Sequence, residues 1–129
     1  MIQSTGTLLY SNNPYKLIVS IDNEIGRYYR SLIPKYFNAQ PQAYSSHISV
    51  VRKEIPPNIN VWYKYHGSEI QFEYDSIIYN GEVYFWLNAY SPVLEEIRLE
   101  LGLQNLSQYT RSPDGRHRFH ITIANMKGK

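Results

Sequence analysis

From Tyr15 to Ile21 the chain is apolar and β-branched, and the turn-forming run Ser11-Asn-Asn-Pro14 separates it from a shorter run, Thr7 to Tyr10. Two opening strands are predicted. Ile25, Tyr28, Tyr29, Leu32 and Ile33 then recur at helical spacing, with Asp22 or Asn23 as a cap and Pro34 as a stop. After a polar link from Asn38 to Ser46, His47-Ile-Ser-Val-Val51 alternates as a strand does, and Pro56-Pro57 ends it. Val61 to Tyr65, Glu69 to Tyr74 and Ser76 to Leu87 read as further strands, the last broken into a hairpin at Asn80-Gly81. Ser91 and Pro92 start a second helix whose predicted buried stripe is Val93, Leu94, Ile97 and Leu101, with Gly102 as its stop. A polar loop from Gln104 to Arg118 leads into the last strand, Phe119 to Ala124. Two halves, each a helix followed by a histidine-headed strand, thus flank a β-rich middle, and an α+β sandwich packs them economically.

Composition narrows this picture. The 129 residues fit a single domain, 1–129, and 43% hydrophobic with 19% charged residues is a globular balance. The net charge of +2 suits a small anionic ligand better than long nucleic acid, which demands a clustered basic surface. The absence of cysteine rules out disulfides and thiolate chemistry. No apolar stretch approaches the length of a membrane helix and no signal pattern opens the chain, so cytoplasmic residence without membrane partners is expected.

The chemistry concentrates in a repeated pattern. His47-Ile-Ser-Val50 and His120-Ile-Thr-Ile123 each read histidine, isoleucine, hydroxyl residue, branched apolar residue. On a strand, residues i and i+2 share a face, so His47 with Ser49 and His120 with Thr122 form polar pairs backed by core. If the two strands are neighbours in a sheet, both pairs converge on one cleft. Two imidazoles, with unperturbed pKa values of about 6.5, can give and take a proton near neutrality. Hydroxyls beside them suit non-bridging phosphate oxygens, where charge builds in a phosphodiester transition state. A lone histidine on a half-exposed strand is ordinarily a surface residue; the matched pair argues for function. There is no His-x-x-x-His pair, HExxH, G-x-S-x-G or Gly-rich phosphate loop, so neither metal nor cofactor is expected.

These residues resemble the 2H phosphoesterases, whose signature is two H-x-(S/T)-x motifs on paired strands. The wider text, Ile25-Gly-Arg-Tyr-Tyr-Arg-Ser-Leu-Ile-Pro34, His47 to Arg52, Asn80-Gly-Glu-Val-Tyr84 and Phe119 to Asn125, is similar to the bacteriophage anti-CBASS phosphodiesterases within that superfamily. The resemblance implies a bilobal α+β fold, two antiparallel sheets lining a central cleft with helices packed outside. It also implies cleavage of cyclic di- and trinucleotide immune signals by attack of the ribose 2′-hydroxyl, in the host cell cytoplasm, with His47, Ser49, His120 and Thr122 as the matched residues. Tyr15, Trp86 and Trp62 are candidates for stacking bases, core packing being their other use. Arg52, Arg116 and Arg118, near the motif ends, are candidates for phosphate contacts. Two other readings remain: an RNA-end enzyme acting on 2′,3′-cyclic phosphate or 2′,5′-linked oligonucleotides, and a non-catalytic nucleotide-binding protein.

Overall fold

A computed structural model describes residues 1–104 and 119–127. Its elements run β1 (Ile2–Ser11), β2 (Lys16–Ser20), α1 (Asn23–Ser31), β3 (His47–Arg52), β4 (Glu69–Tyr74), β5 (Tyr79–Asn80), β6 (Tyr84–Tyr90), α2 (Pro92–Glu100) and β7 (Phe119–Asn125). All pairings are antiparallel, in the order β4-β1-β2-β3-β7-β6-β5.

The fold is α+β, but the expected two sheets are one. Tyr74 and Glu73 of β4 pair with Ala89 and Tyr90 of β6, which closes six strands into a barrel and leaves β5 flanking β6. The length of β1 explains the closure. Its N-terminal part, Gln3-Ser-Thr-Gly6, carries little apolar strand signal, yet Ile2 to Thr7 pair with β4 while Thr7 to Ser11 pair with β2. One long strand thereby carries the sheet from the opening hairpin round to the middle of the chain. Gly6 permits the tight packing there: a Cβ on it would lie 2.5 Å from Val19 Cγ1 and 2.7 Å from the Ser20 carbonyl oxygen.

Two further expectations change. Val61 to Tyr65 is not a strand. Ile59–Val61 forms a 3₁₀ turn, and Tyr63 takes a left-handed φ of 71°, so Trp62 turns into the core while Tyr63 faces solvent. The apolar stripes of both helices are also narrower than their spacing implied. Tyr28 and Leu32 near α1 and Val93 in α2 are exposed, whereas Tyr29, Ile33, Leu94, Ile97 and Leu101 join the strands' apolar positions in one core cluster. Short helices bury only the residues facing the sheet, and α1 packs against β7 while α2 packs against β3 and β4. The caps form as expected: the Asp22 carboxylate accepts from the Glu24 N–H, and Ser91 Oγ accepts from the Leu94 N–H.

Arg98 takes a place in α2 that its residue type does not suggest. It is buried and donates to the Val50 carbonyl at 2.7 Å, to both oxygens of Glu54 at 2.9 Å each, and to the Gln104 carbonyl at 2.9 and 3.1 Å. A bulge explains the first bond. Leu17 pairs with Val51 and Ile18 with Ser49, so Val50 has no register partner on β2 and Arg98 satisfies its carbonyl. No helix among the described residues is long and apolar enough to cross a membrane.

Candidate active site

β3 and β7 are neighbours through the pair Ile48 and Ile121, both fully buried. One step either side of that pair, antiparallel pairing sets His47 across from Thr122 and Ser49 across from His120. Each histidine therefore faces the hydroxyl residue of the other motif, and the two histidines are diagonal neighbours. Such diagonals are about 7–8 Å apart, room for a tetrahedral group between two rings. All four side chains are half-buried and line one cleft of about 580 Å³, while Ile48, Val50, Ile121 and Ile123 are buried behind them. The alternation in the sequence is realised on both strands.

His47 Nδ1 lies 2.8 Å from the Ser45 carbonyl oxygen. A carbonyl only accepts, so Nδ1 carries a proton and donates it, which leaves Nε2 as the nitrogen that exchanges protons. His120 is framed from β6. The Trp86 ring lies 5.2 Å from the His120 ring at 34° and stacks on Tyr79, and its Nε1–H donates to Asn88 Oδ1 at 3.2 Å. Trp86 pairs with Thr122 and Asn88 with His120 in the ladder, so β6 mirrors the i, i+2 spacing of the motif.

The rim of the cleft is cationic. Lys16, Arg52, Lys53 and Lys127 line it, and its described lining includes no carboxylate. Lys127 Nζ sits 5.1 Å over the Tyr84 ring, and its hydrogen bond to the phenol holds Tyr84 below the ordinary tyrosine value, with Arg52 and Lys53 adding to the effect by charge. Lys16 Nζ lies 5.8 Å over the Tyr44 ring. Rings and cations therefore alternate around the mouth, a surface suited to a nucleotide's bases and phosphates.

Of the binding candidates, Tyr15, Trp86 and Arg52 line the cleft. Trp62 does not. It is 8% exposed, in edge contact with Tyr10 and Tyr15 at 5.0 and 5.2 Å, and donates to the Ser11 carbonyl, so it buttresses Tyr15 from the core. Arg116 and Arg118 lie outside the described residues. Lys16, Gln42, Tyr44, Lys53, Tyr84 and Lys127 were not singled out from the sequence, because they come from β2, the 38–46 link and segment ends that only folding brings together. Asn88 left a usable signal: it stands two residues after Trp86 in an otherwise apolar strand.

A second hollow of about 350 Å³, by Gln3, Gln71 and Tyr90, is lined by neutral side chains and Glu73 and contains no histidine. Among the described residues no three His, Asp or Glu side chains gather as a metal-binding set. No family model, curated protein or solved structure matches the chain.

Proposed function

We propose that the chain is a metal-independent 2H-type phosphodiesterase that cleaves 3′–5′ linkages of cyclic di- and trinucleotides, signals through which bacteria answer phage infection. The observation that carries this reading is the crossed arrangement of His47 with Thr122 and His120 with Ser49 in one cation-rimmed cleft. The bilobal arrangement expected of that superfamily is supported by the strand order. Around the barrel β3 lies between β2 and β7, and β7 between β3 and β6, so the two histidine strands are neighbours where the units β2–α1–β3 and β6–α2–β7 join.

In the proposed reaction the scissile phosphate sits between the two rings, with Ser49 and Thr122 donating to its non-bridging oxygens. His47 Nε2 takes the proton of the ribose 2′-hydroxyl, whose oxygen attacks the adjacent phosphorus. Protonated His120 gives its proton to the departing 5′-oxygen. The products are a 2′,3′-cyclic phosphate and a free 5′-hydroxyl, and water opens the cyclic phosphate after the histidines exchange roles. The hydrogen bond from Nδ1 to Ser45 leaves Nε2 of His47 available as the initial base, and His120, positioned against the Trp86 ring, is then the initial acid. The 2′-hydroxyl is the favoured nucleophile because it is already held beside phosphorus, an intramolecular placement with a large entropic advantage over free water.

A cyclic dinucleotide incubated with the protein in chelator tests the reading, beside the analogue with 2′-deoxyribose on the cleaved side. The ribo substrate should be cleaved and the deoxy analogue should bind but stay intact. Hydrolysis of both at one rate eliminates 2′-hydroxyl attack, and recovery of intact ribo ligand makes the protein a binder rather than an enzyme.

A further inference from the structure

A separate hollow of about 300 Å³ opens behind the link that precedes β3. It shares Gln42, Tyr44 and Thr122 with the cleft, so the two spaces are separated by one layer of side chains. On its far wall α1 contributes Arg27 and Arg30. The two arginines differ. Arg27 is exposed and paired with Glu24 one turn away, whereas Arg30 is half-buried and makes no ion pair among the described residues. A half-exposed guanidinium with no carboxylate partner keeps its planar set of donors available to an anion.

The wall between hollow and cleft is held at both ends. Asn125 Nδ2 donates to Gln42 Oε1 at 2.6 Å, and the Gln40 N–H donates to the Asn125 carbonyl at 2.7 Å. At the other end the Ser46 N–H donates to Asn23 Oδ1 at 2.8 Å, and Gly26 lets α1 approach Ser46 so closely that a Cβ would lie 2.5 Å from its Oγ. Ser45, between these anchors, is the residue whose carbonyl orients His47. The hollow is thus preformed, arginine-walled, and joined to the catalytic wall.

We propose that the Arg30 hollow is a second phosphate subsite, which receives a phosphate of the substrate other than the one being cleaved. This rests on the phosphodiesterase reading and narrows it: the substrates are oligonucleotides with at least two phosphates, and Arg30 discriminates them from single-phosphate diesters. Four cations around the cleft mouth hold the scissile region, and Arg30 holds the chain beyond it.

The test compares a cyclic dinucleotide, with two phosphodiesters, and a linear dinucleoside monophosphate, with one. Arg30→Gln should lower kcat/KM for the cyclic dinucleotide about 10- to 100-fold, the size of one lost charge-assisted hydrogen-bonded contact, and change the linear substrate less than about twofold. Arg30→Lys, which keeps the charge at the end of α1, should recover part of the loss, and thermal melting controls for folding. Equal effects on both substrates, or none on either, overturn the subsite. A binding arm uses the His47→Ala/His120→Ala protein and calorimetry with the same two ligands, and needs no turnover. Selective weakening of the cyclic ligand by Arg30→Gln supports the subsite even if the wild type cleaves nothing. Cleavage by the wild type with an indifferent Arg30→Gln leaves the phosphodiesterase reading standing and removes the subsite.

Discussion

Removing either member of the Arg98–Glu54 pair should cost different amounts, because the two side chains meet water differently. The Arg98 side chain is 6% exposed and that of Glu54 36%. In Arg98→Met the Glu54 carboxylate, 36% exposed, keeps its access to water, and the exposed Gln104 carbonyl finds water. Only the Val50 carbonyl, left by the β3 bulge without a β2 partner, stays unsatisfied. That loss is worth about 1–3 kcal/mol and is partly offset by the methionine's burial, leaving a net cost of about 1–2 kcal/mol. In Glu54→Gln the guanidinium stays buried with its charge uncompensated, a situation that costs about 3–5 kcal/mol when no other group helps. The Val50 and Gln104 carbonyls do help, so about 3 kcal/mol is expected. The double variant should then resemble Arg98→Met alone. Urea unfolding followed by tryptophan fluorescence measures all three. If Arg98→Met is the costlier single change, or the double variant loses the sum of both, the burial argument is wrong.

His47→Ala and His120→Ala should each lower turnover of a cyclic dinucleotide by about 10²–10⁴-fold with unchanged melting, and Ser49→Ala and Thr122→Ala by less; a folded histidine variant with near-normal rates refutes the pairing. A substrate with sulfur in place of the leaving 5′-oxygen needs no general acid, so it should rescue His120→Ala but not His47→Ala, and rescue of the opposite variant reverses the assigned roles. Burial, with Tyr65 and Glu100 nearby, pushes the Tyr10 phenol up to about 12. The unfolded chain therefore ionises first, near 10, and stability present below pH 10 should fall by about 2–3 kcal/mol as pH rises towards 12. Tyr10→Phe should flatten that part of a denaturation series run at increasing pH. Gly6→Ala should cost more than about 2 kcal/mol because its Cβ meets a backbone carbonyl, whereas Gly26→Ala should lie within about 1 kcal/mol of wild type, since Ser46 Oγ can rotate and alanine favours the helix. Chemical denaturation of the pair separates these cases.

The sequence by itself determined the elements whose cause is local. Ser91-Pro92 capped α2 at its start, and the period-two alternation of His47 to Val50 and His120 to Ile123 put polar pairs over a buried backing, because a strand's faces are set by spacing alone; the Asn80-Gly81 signal marked a hairpin whose turn falls just after it, at Glu82-Val83, with Asn80 paired to Phe85. Tertiary structure decided what depends on contacts distant in sequence. The closure of the sheet rests on β1, whose polar start becomes strand only when β4 pairs with it. The fate of Trp62 rests on a left-handed Tyr63. Which histidine faces which hydroxyl follows from the register at Ile48 and Ile121, and a shift of one residue would have turned one motif's polar pair into the core while the other stayed in the cleft. The cationic rim and the Arg30 hollow also belong to the fold, since their charges come from segments that share no motif and meet only where packing brings their backbones together.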